Sequence, residues 1–186
     1  HFTVPTPRLA AVPTVPETFE ASNRLGLTVR NVGEIPVPNA TMNVSFVDPT
    51  GRVIWNDSSM GDVPENGTVN LSATLPMPSP ILGTYTLEYD LGYGYDRRVH
   101  RVRSVKNSAS ASINLSRPIH REGETVAGTV LVANDGRFVS NLSVNVSVPV
   151  VGNSTVTSMG LAPGENRTIP FAAGLPTPLT PGTYEV

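Results

Sequence analysis

Ten Asn-x-Ser/Thr triplets are the residues of this chain whose type and spacing could do chemistry. They begin at Asn39, Asn43, Asn56, Asn66, Asn70, Asn114, Asn141, Asn145, Asn153 and Asn166. Their chemistry is acceptor chemistry, because such an asparagine amide takes an N-linked glycan. The chain has 14 asparagines, and random placement at this Ser/Thr content would put roughly three in such triplets. Polar strand faces favour Asn, Thr and Ser in any case, and a duplicated heptapeptide doubles part of the count. Triplets nevertheless occur outside that heptapeptide. The sequence is therefore expected to carry many sugars and to sit at an extracellular or cell-surface location.

The other reactive side chains form no catalytic pattern. The three histidines are far apart, with no H-x-H or HExxH spacing. No G-x-S-x-G elbow and no phosphate loop occur. Cysteine is absent, which removes thiol chemistry and Cys-based metal sites. The expectation is a non-enzyme without cofactors other than N-linked glycans. Asp48, Asp57, Asp62 and Glu65 are expected in neighbouring turns, where carboxylates can gather around calcium. They lack a regular D-x-D-x-D spacing, and the second half of the chain has no matching cluster.

One basic run stands out: Arg97, Arg98, His100, Arg101, Arg103 and Lys106, followed by Arg117 and Arg121. It reads either as a contact for an anionic glycan or acidic neighbour, or as a solvated edge strand guarded by charge. Nucleic acid is not an expected partner. The net charge is −2, and no stacking aromatics accompany the run. Trp55 reads as a core or inter-sheet residue, with sugar stacking as the alternative. No membrane span is present.

Strands must position these residues. Eighteen Pro and sixteen Gly interrupt the 186 residues too often for long helices. Apolar residues recur with the two-residue period of strands. In Asn39–Phe46, "NATMNVSF", the outward set is Asn39, Thr41, Asn43 and Ser45; Ala40, Met42, Val44 and Phe46 point inward. The segment Asn141–Val148, "NLSVNVSV", repeats that pattern. Further landmarks recur in the same order. "LTVRNVG" from Leu27 matches "TVLVANDG" from Thr129. "MGDVPENG" from Met60 matches "MGLAPGEN" from Met159. "LGTYTL" from Leu82 matches "PGTYEV" from Pro181.

Two duplicated units follow, residues 1–106 and 107–186. In the first, strands are expected near 25–30, 40–47, 52–55, 68–75, 84–91 and 96–105, with a Pro-Gly turn at Asp48–Gly51. Short strands at this spacing predict an all-β fold of two tandem immunoglobulin-like sandwiches. Val29, Asn31 and Gly33, then Leu161–Glu165, then Pro181–Val186 resemble CARDB-type, immunoglobulin-like surface repeats of archaea and bacteria. The resemblance implies a sandwich fold and an extracellular setting, without an activity.

The two units do not end alike. The first runs on through "TYTLEYDLGYGYDRRVHRVRSV", whereas the second stops at "TYEV". The second sandwich is therefore expected to lack its last strands within this chain. Placing His1 after Val186 continues the alternation of Tyr184 and Val186 through Phe2 and Val4, as Tyr85, Leu87, Tyr89 and Leu91 do. This predicts an inter-subunit strand formed by Phe2, Val4, Tyr184 and Val186. The missing strand would come in cis from a following repeat, or in trans from the segment His1–Val12 of another copy. Plain truncation is the competing explanation. The functional expectation is a structural, glycosylated repeat of an archaeal surface filament, S-layer or stalk, with copies of itself as partners. The alternatives are an adhesion or carbohydrate-binding module of a larger secreted protein, and an accessory domain of a secreted hydrolase.

Overall fold

A computed structural model describes residues 6–76, 81–94, 96–151, 153–178, 180 and 182. These residues form strands, turns and one 3₁₀ turn at Pro149–Val151. The chain divides into two compact units, residues 1–107 and 108–186. Asn107 belongs to the first, where its side-chain amide donates to the Ile81 carbonyl at 2.7 Å.

The first unit is an immunoglobulin-like sandwich. Its strands are β1 (Leu9–Thr14), β2 (Ser22–Asn31), β3 (Val37–Val47), β4 (Val53–Val63), β5 (Thr68–Pro76), β6 (Gly83–Tyr93) and β7 (Arg97–Asn107). One sheet has the order β1-β2-β5 and the other β4-β3-β6-β7, with antiparallel pairing throughout. The inward sets of β2, β3 and β6 are continuous apolar series, so the core lies between these three strands. Leu25, Leu27 and Val29 on one sheet, and Met42, Val44, Phe46, Tyr85, Leu87 and Leu91 on the other, are all fully buried. Each such side chain contributes about 1.5–3 kcal/mol by leaving water. The Phe46 ring stacks on Tyr85 with centroids 4.9 Å apart.

The second unit has β8 (Ala109–Leu115), β9 (Thr125–Asn134), β10 (Ser140–Val148), β11 (Asn153–Leu161) and β12 (Asn166–Gly174). Its sheets are β12-β9-β8 and β10-β11. These strands correspond to β5-β2-β1 and β3-β4. Among the described residues, nothing corresponds to β6 and β7.

One buried asparagine locks each unit at the same place. The Asn31 amide donates to the Ile35 carbonyl at 2.7 Å, and its oxygen accepts from the Gly33 amide. The Asn134 amide donates to the Phe138 and Leu161 carbonyls, and its oxygen accepts from Gly136. The repeated Asn-x-Gly is thus a buried loop clamp, satisfied in both copies as burial of an amide requires.

Four sequence expectations change. The strand expected at 52–55 runs on to Val63, because an edge strand exposed on much of its surface hides the two-residue period. Asp57 and Asp62 therefore lie on a strand, not in turns. Second, Met60 and Met159 are not equivalent. Met60 pairs with Thr41 and is 63% exposed, whereas Met159 pairs with Leu142 and is 8% exposed. Gly61, paired with Ala40, holds the place of Met159. The sequence match was one residue out of register, and one residue reverses the face.

Third, β3 carries a bulge. Val37 opposes Val63 and Ala40 opposes Gly61, so Pro38 and Asn39 share one partner, Asp62. Asn39 takes φ 53°, and its amide donates to the Asp62 carboxylate at 2.8 Å. β10 runs through the same place without a shift. Asn39 therefore leaves the regular outward row. Fourth, Leu9–Val12 belong to β1 and pair with β2 of their own unit. That part of the expected donor segment is in use. Phe2, Val4, Tyr184 and Val186 lie outside the described residues.

Candidate glycan acceptors and an open sheet edge

The fold sorts the asparagines into two sets. Asn39, Asn43, Asn56, Asn66, Asn70, Asn114, Asn141, Asn145 and Asn166 are all exposed. The four asparagines outside Asn-x-Ser/Thr triplets, Asn23, Asn31, Asn107 and Asn134, are all buried. Each of those four makes structural hydrogen bonds, such as the Asn23 amide to the Glu20 carbonyl at 2.7 Å. At Asn43, Asn70, Asn114 and Asn145 alternation produces this division, since an apolar neighbour on each side turns the amide outward. The side chain of Asn153 lies outside what the structure describes.

The acceptors differ in backbone setting. Asn43 and Asn56 lie on adjacent strands, with Asn43 opposite Ser58 and Asn56 opposite Ser45. Each acceptor faces the hydroxyl residue of the other triplet. Asn70, on β5, accepts a hydrogen bond from the Thr28 hydroxyl at 2.9 Å. Asn66 sits in the Pro64–Gly67 turn with φ 55°, closed by the Gly67 amide on the Pro64 carbonyl at 3.0 Å. In the second unit Gly164 occupies that place with φ 75°, in the Ala162–Glu165 turn.

The basic run does not form one patch. Strand alternation divides it, placing His100 opposite Asp90 and Arg101 opposite Tyr89. His100 bonds Asp90 at 2.8 Å on the outer side. Arg97 and Arg101 turn to the other side and donate to the Pro7 and Ala11 carbonyls, at 2.9 and 3.1 Å. Tyr93 joins them, its hydroxyl accepting the Leu9 amide at 3.3 Å. Arg97 and Arg101 of the run, with Tyr93, thus form a clasp between the edges of the two sheets. Farther on, Arg117 pairs with Glu124 at 3.0 Å. Arg121 contributes its backbone amide, which donates to the Glu124 carboxylate at 2.8 Å.

Three of the four acids considered for calcium, Asp48, Asp57 and Asp62, are engaged by the backbone. Asp48 accepts from the Thr50 hydroxyl and from the Thr50 and Arg52 amides. The Thr50 hydroxyl, with those amides, holds the Asp48 carboxyl below its ordinary value against desolvation. Asp57 accepts from the Ser58 amide, and Asp62 from Asn39. Among the described residues, no three His, Asp or Glu side chains converge. Trp55 is half-buried opposite Phe46, at the margin of the sandwich. The Tyr89 hydroxyl is buried without a hydrogen-bond partner, and desolvation pushes its pKa up to about 12 despite the Arg103 charge. It is a core phenol, not an acid–base group at neutral pH.

Sequence reasoning missed two features. One is Tyr85, whose hydroxyl bonds the Ile81 amide and carbonyl at the start of β6, a corner typical of immunoglobulin-like sandwiches. The repeated Gly-Thr-Tyr at 83–85 and 182–184 was its signal. The other is the set of buried asparagines, marked by the missing hydroxyl residue two places on.

Among the described residues, the second unit has one side without a paired strand. β3 is flanked by β4 and β6, but its counterpart β10 is paired only with β11 among the described residues. Ala40 and Met42 are fully buried, while their counterparts Leu142 and Val144 are half-exposed.

No protein-family model matches the chain, and no curated protein matches it. Among solved structures, the chain is similar to red sea bream transglutaminase, with a TM-score of 0.50 at 10% identity. The match covers 91% of this chain and 27% of that enzyme. Likeness at this identity concerns the fold alone, a β-rich immunoglobulin-like architecture.

Proposed function

We propose that this chain is a structural, N-glycosylated unit of an extracellular filament, S-layer or cell-surface stalk, joined to its neighbours by strand complementation. The observation that carries the reading is the division of the asparagines. Every described Asn-x-Ser/Thr asparagine is exposed, and every other asparagine is buried and hydrogen-bonded. Exposed amides of this type are glycan acceptors, and glycans shield and solubilise a surface. Among the described residues β10 pairs on one side only, which supports the assembly part, because a free edge is a template for another strand. The resemblance of the Asn-x-Gly motif and of Pro181–Val186 to CARDB-type surface repeats favours an archaeal or bacterial envelope.

Mass spectrometry of proteolytic peptides from the native protein tests the coat. Sugar mass is expected on several of the ten acceptors and on none of Asn23, Asn31, Asn107 and Asn134. Bare peptides throughout would remove the glycoprotein reading. Electron microscopy of the native material tests the assembly. Subunits with a regular rise support it, whereas isolated particles on a larger secreted protein favour an adhesion module.

A further inference from the structure

We infer that the acceptors divide into two time classes. Asn56, Asn66 and Asn166 stay open to glycosylation after the chain has folded, whereas Asn39, Asn43, Asn70 and Asn145 are modified only before their strands pair. The inference rests on the glycoprotein reading above and adds the order of events at its sites.

Transfer chemistry sets the requirement. The donor is an oligosaccharide carried through its anomeric carbon on a lipid phosphate. The asparagine Nδ2 bonds to that carbon as the carbon–oxygen bond to phosphate breaks. The lipid phosphate leaves with the electron pair, and the amide gives one proton to a base of the transferase. The hydroxyl residue two places on belongs to the same signal, so the enzyme must hold both ends of the triplet at once. The residue between them has to come along. Exposure of the asparagine is therefore insufficient, and burial of the middle residue decides.

The middle residues fall into two groups. Ala40 and Val44 are 0%, Leu71 3% and Val146 7% exposed. Lifting any of these triplets pulls a side chain out of the core. At Asn43 it also breaks pairing on both sides, since this residue opposes Ser58 on β4 and Asp90 on β6. The Asn70 triplet is tied at both ends. The Thr28 hydroxyl donates to the Asn70 amide oxygen at 2.9 Å, and Arg24 donates to the Ser72 hydroxyl at 3.3 Å. In the other group the middle residues are Asp57 and Arg167, both exposed, and Gly67, which has no side chain to bury. The hydroxyl residues of those triplets, Ser58, Thr168 and Thr68, are exposed as well.

Asn39 and Asn66 are the discriminating pair. Both are exposed, with φ 53° and 55°. Amide accessibility and backbone hand treat the two alike. Yet Ala40 lies in the core, and Thr41 pairs with both Met60 and Gly92. The Thr41 hydroxyl donates to the Asn39 carbonyl at 3.2 Å. Gly67 instead closes the Pro64–Gly67 turn. Opening a turn is a local event, whereas freeing β3 takes the sandwich apart.

The test gives the full chain, made without sugars, to a purified oligosaccharyltransferase and its lipid-linked donor. Glycopeptide mass spectrometry reads the rate at each site. The reference is the same chain digested into peptides that keep each triplet whole, which cancels the intrinsic preference of each sequence. Folded-chain rates at Asn56, Asn66 and Asn166 are expected within about tenfold of the peptide rates, and those at Asn39, Asn43, Asn70 and Asn145 about a hundredfold or more below them. Equal ratios at Asn39 and Asn66 overturn the inference, whether both are fast or both slow. Peptides bare at every triplet would instead remove the glycoprotein reading. Should the sugar-free chain not hold its fold, cells making the protein supply the second measurement: donor supply is cut during synthesis and then restored. On chains already made, sugar is expected to return to Asn66 and not to Asn39. Return to both, or to neither, overturns the two classes.

Discussion

The Tyr85 hydroxyl accepts the Ile81 amide hydrogen at 2.8 Å and donates to the Ile81 carbonyl at 3.1 Å. That one phenol closes the corner before β6 while its ring stacks on Phe46. The Ile81 carbonyl keeps a second donor in Asn107, so the amide is the group that Tyr85→Phe would orphan. The variant is expected to lose about 1–2 kcal/mol of stability. Urea unfolding measures this; an unchanged midpoint would assign the corner no energetic role.

Asn66 and Gly164 share a left-handed turn position, with φ 55° and 75°. A glycine therefore suits the first unit as it does the second. Asn66→Gly should leave the melting temperature nearly unchanged while deleting one acceptor. Asn66→Val and Gly164→Val should each lose about 1–2 kcal/mol, since a β-branched residue resists positive φ. A stable Gly164→Val variant would contradict the turn geometry.

Acid should weaken both units through carboxylates held below their ordinary values. Asp48 is held down first by the Thr50 hydroxyl, Glu165 by the Ala162 amide and Glu124 by the Arg121 amide. A carboxyl with a depressed folded pKa stabilises the fold above its unfolded value, 3.8 for Asp and 4.5 for Glu. That contribution disappears as pH falls through the lower folded value. Melting temperature should therefore be flat above about pH 5 and drop below about pH 4. Asp48→Asn and Glu165→Gln keep an acceptor oxygen and should flatten the acid limb. An acid limb identical to that of the parent protein would show that these turns do not titrate with folding.

Asn43 and Asn56 are diagonal neighbours across β3 and β4, a relation that places Cβ atoms about 7–8 Å apart or less. Branched glycans on both would crowd, so occupancy of the two should be anticorrelated if the strands are modified. Asn43→Gln should then raise occupancy at Asn56, read by glycopeptide mass spectrometry. Independent occupancy would show that the outer sheet face holds both sugars side by side.

Much of this protein was determined by its sequence alone. Alternation in "NATMNVSF" and "NLSVNVSV" specifies which residues face the core, because side-chain direction in a strand repeats every two residues. The duplication shows in short motifs, and the Asn-x-Ser/Thr rule anticipates which asparagines are exposed. These are local properties, carried by neighbouring residues. The tertiary structure decided what depends on pairing between distant segments. It put a bulge at Asn39, separated Met60 from Met159 by one residue of register, and extended β4 through Asp62. It also turned Arg97 and Arg101 of the basic run onto the Pro7 and Ala11 carbonyls. Register, bulges and sheet-to-sheet clasps come from contacts far apart in the chain, which no local period encodes.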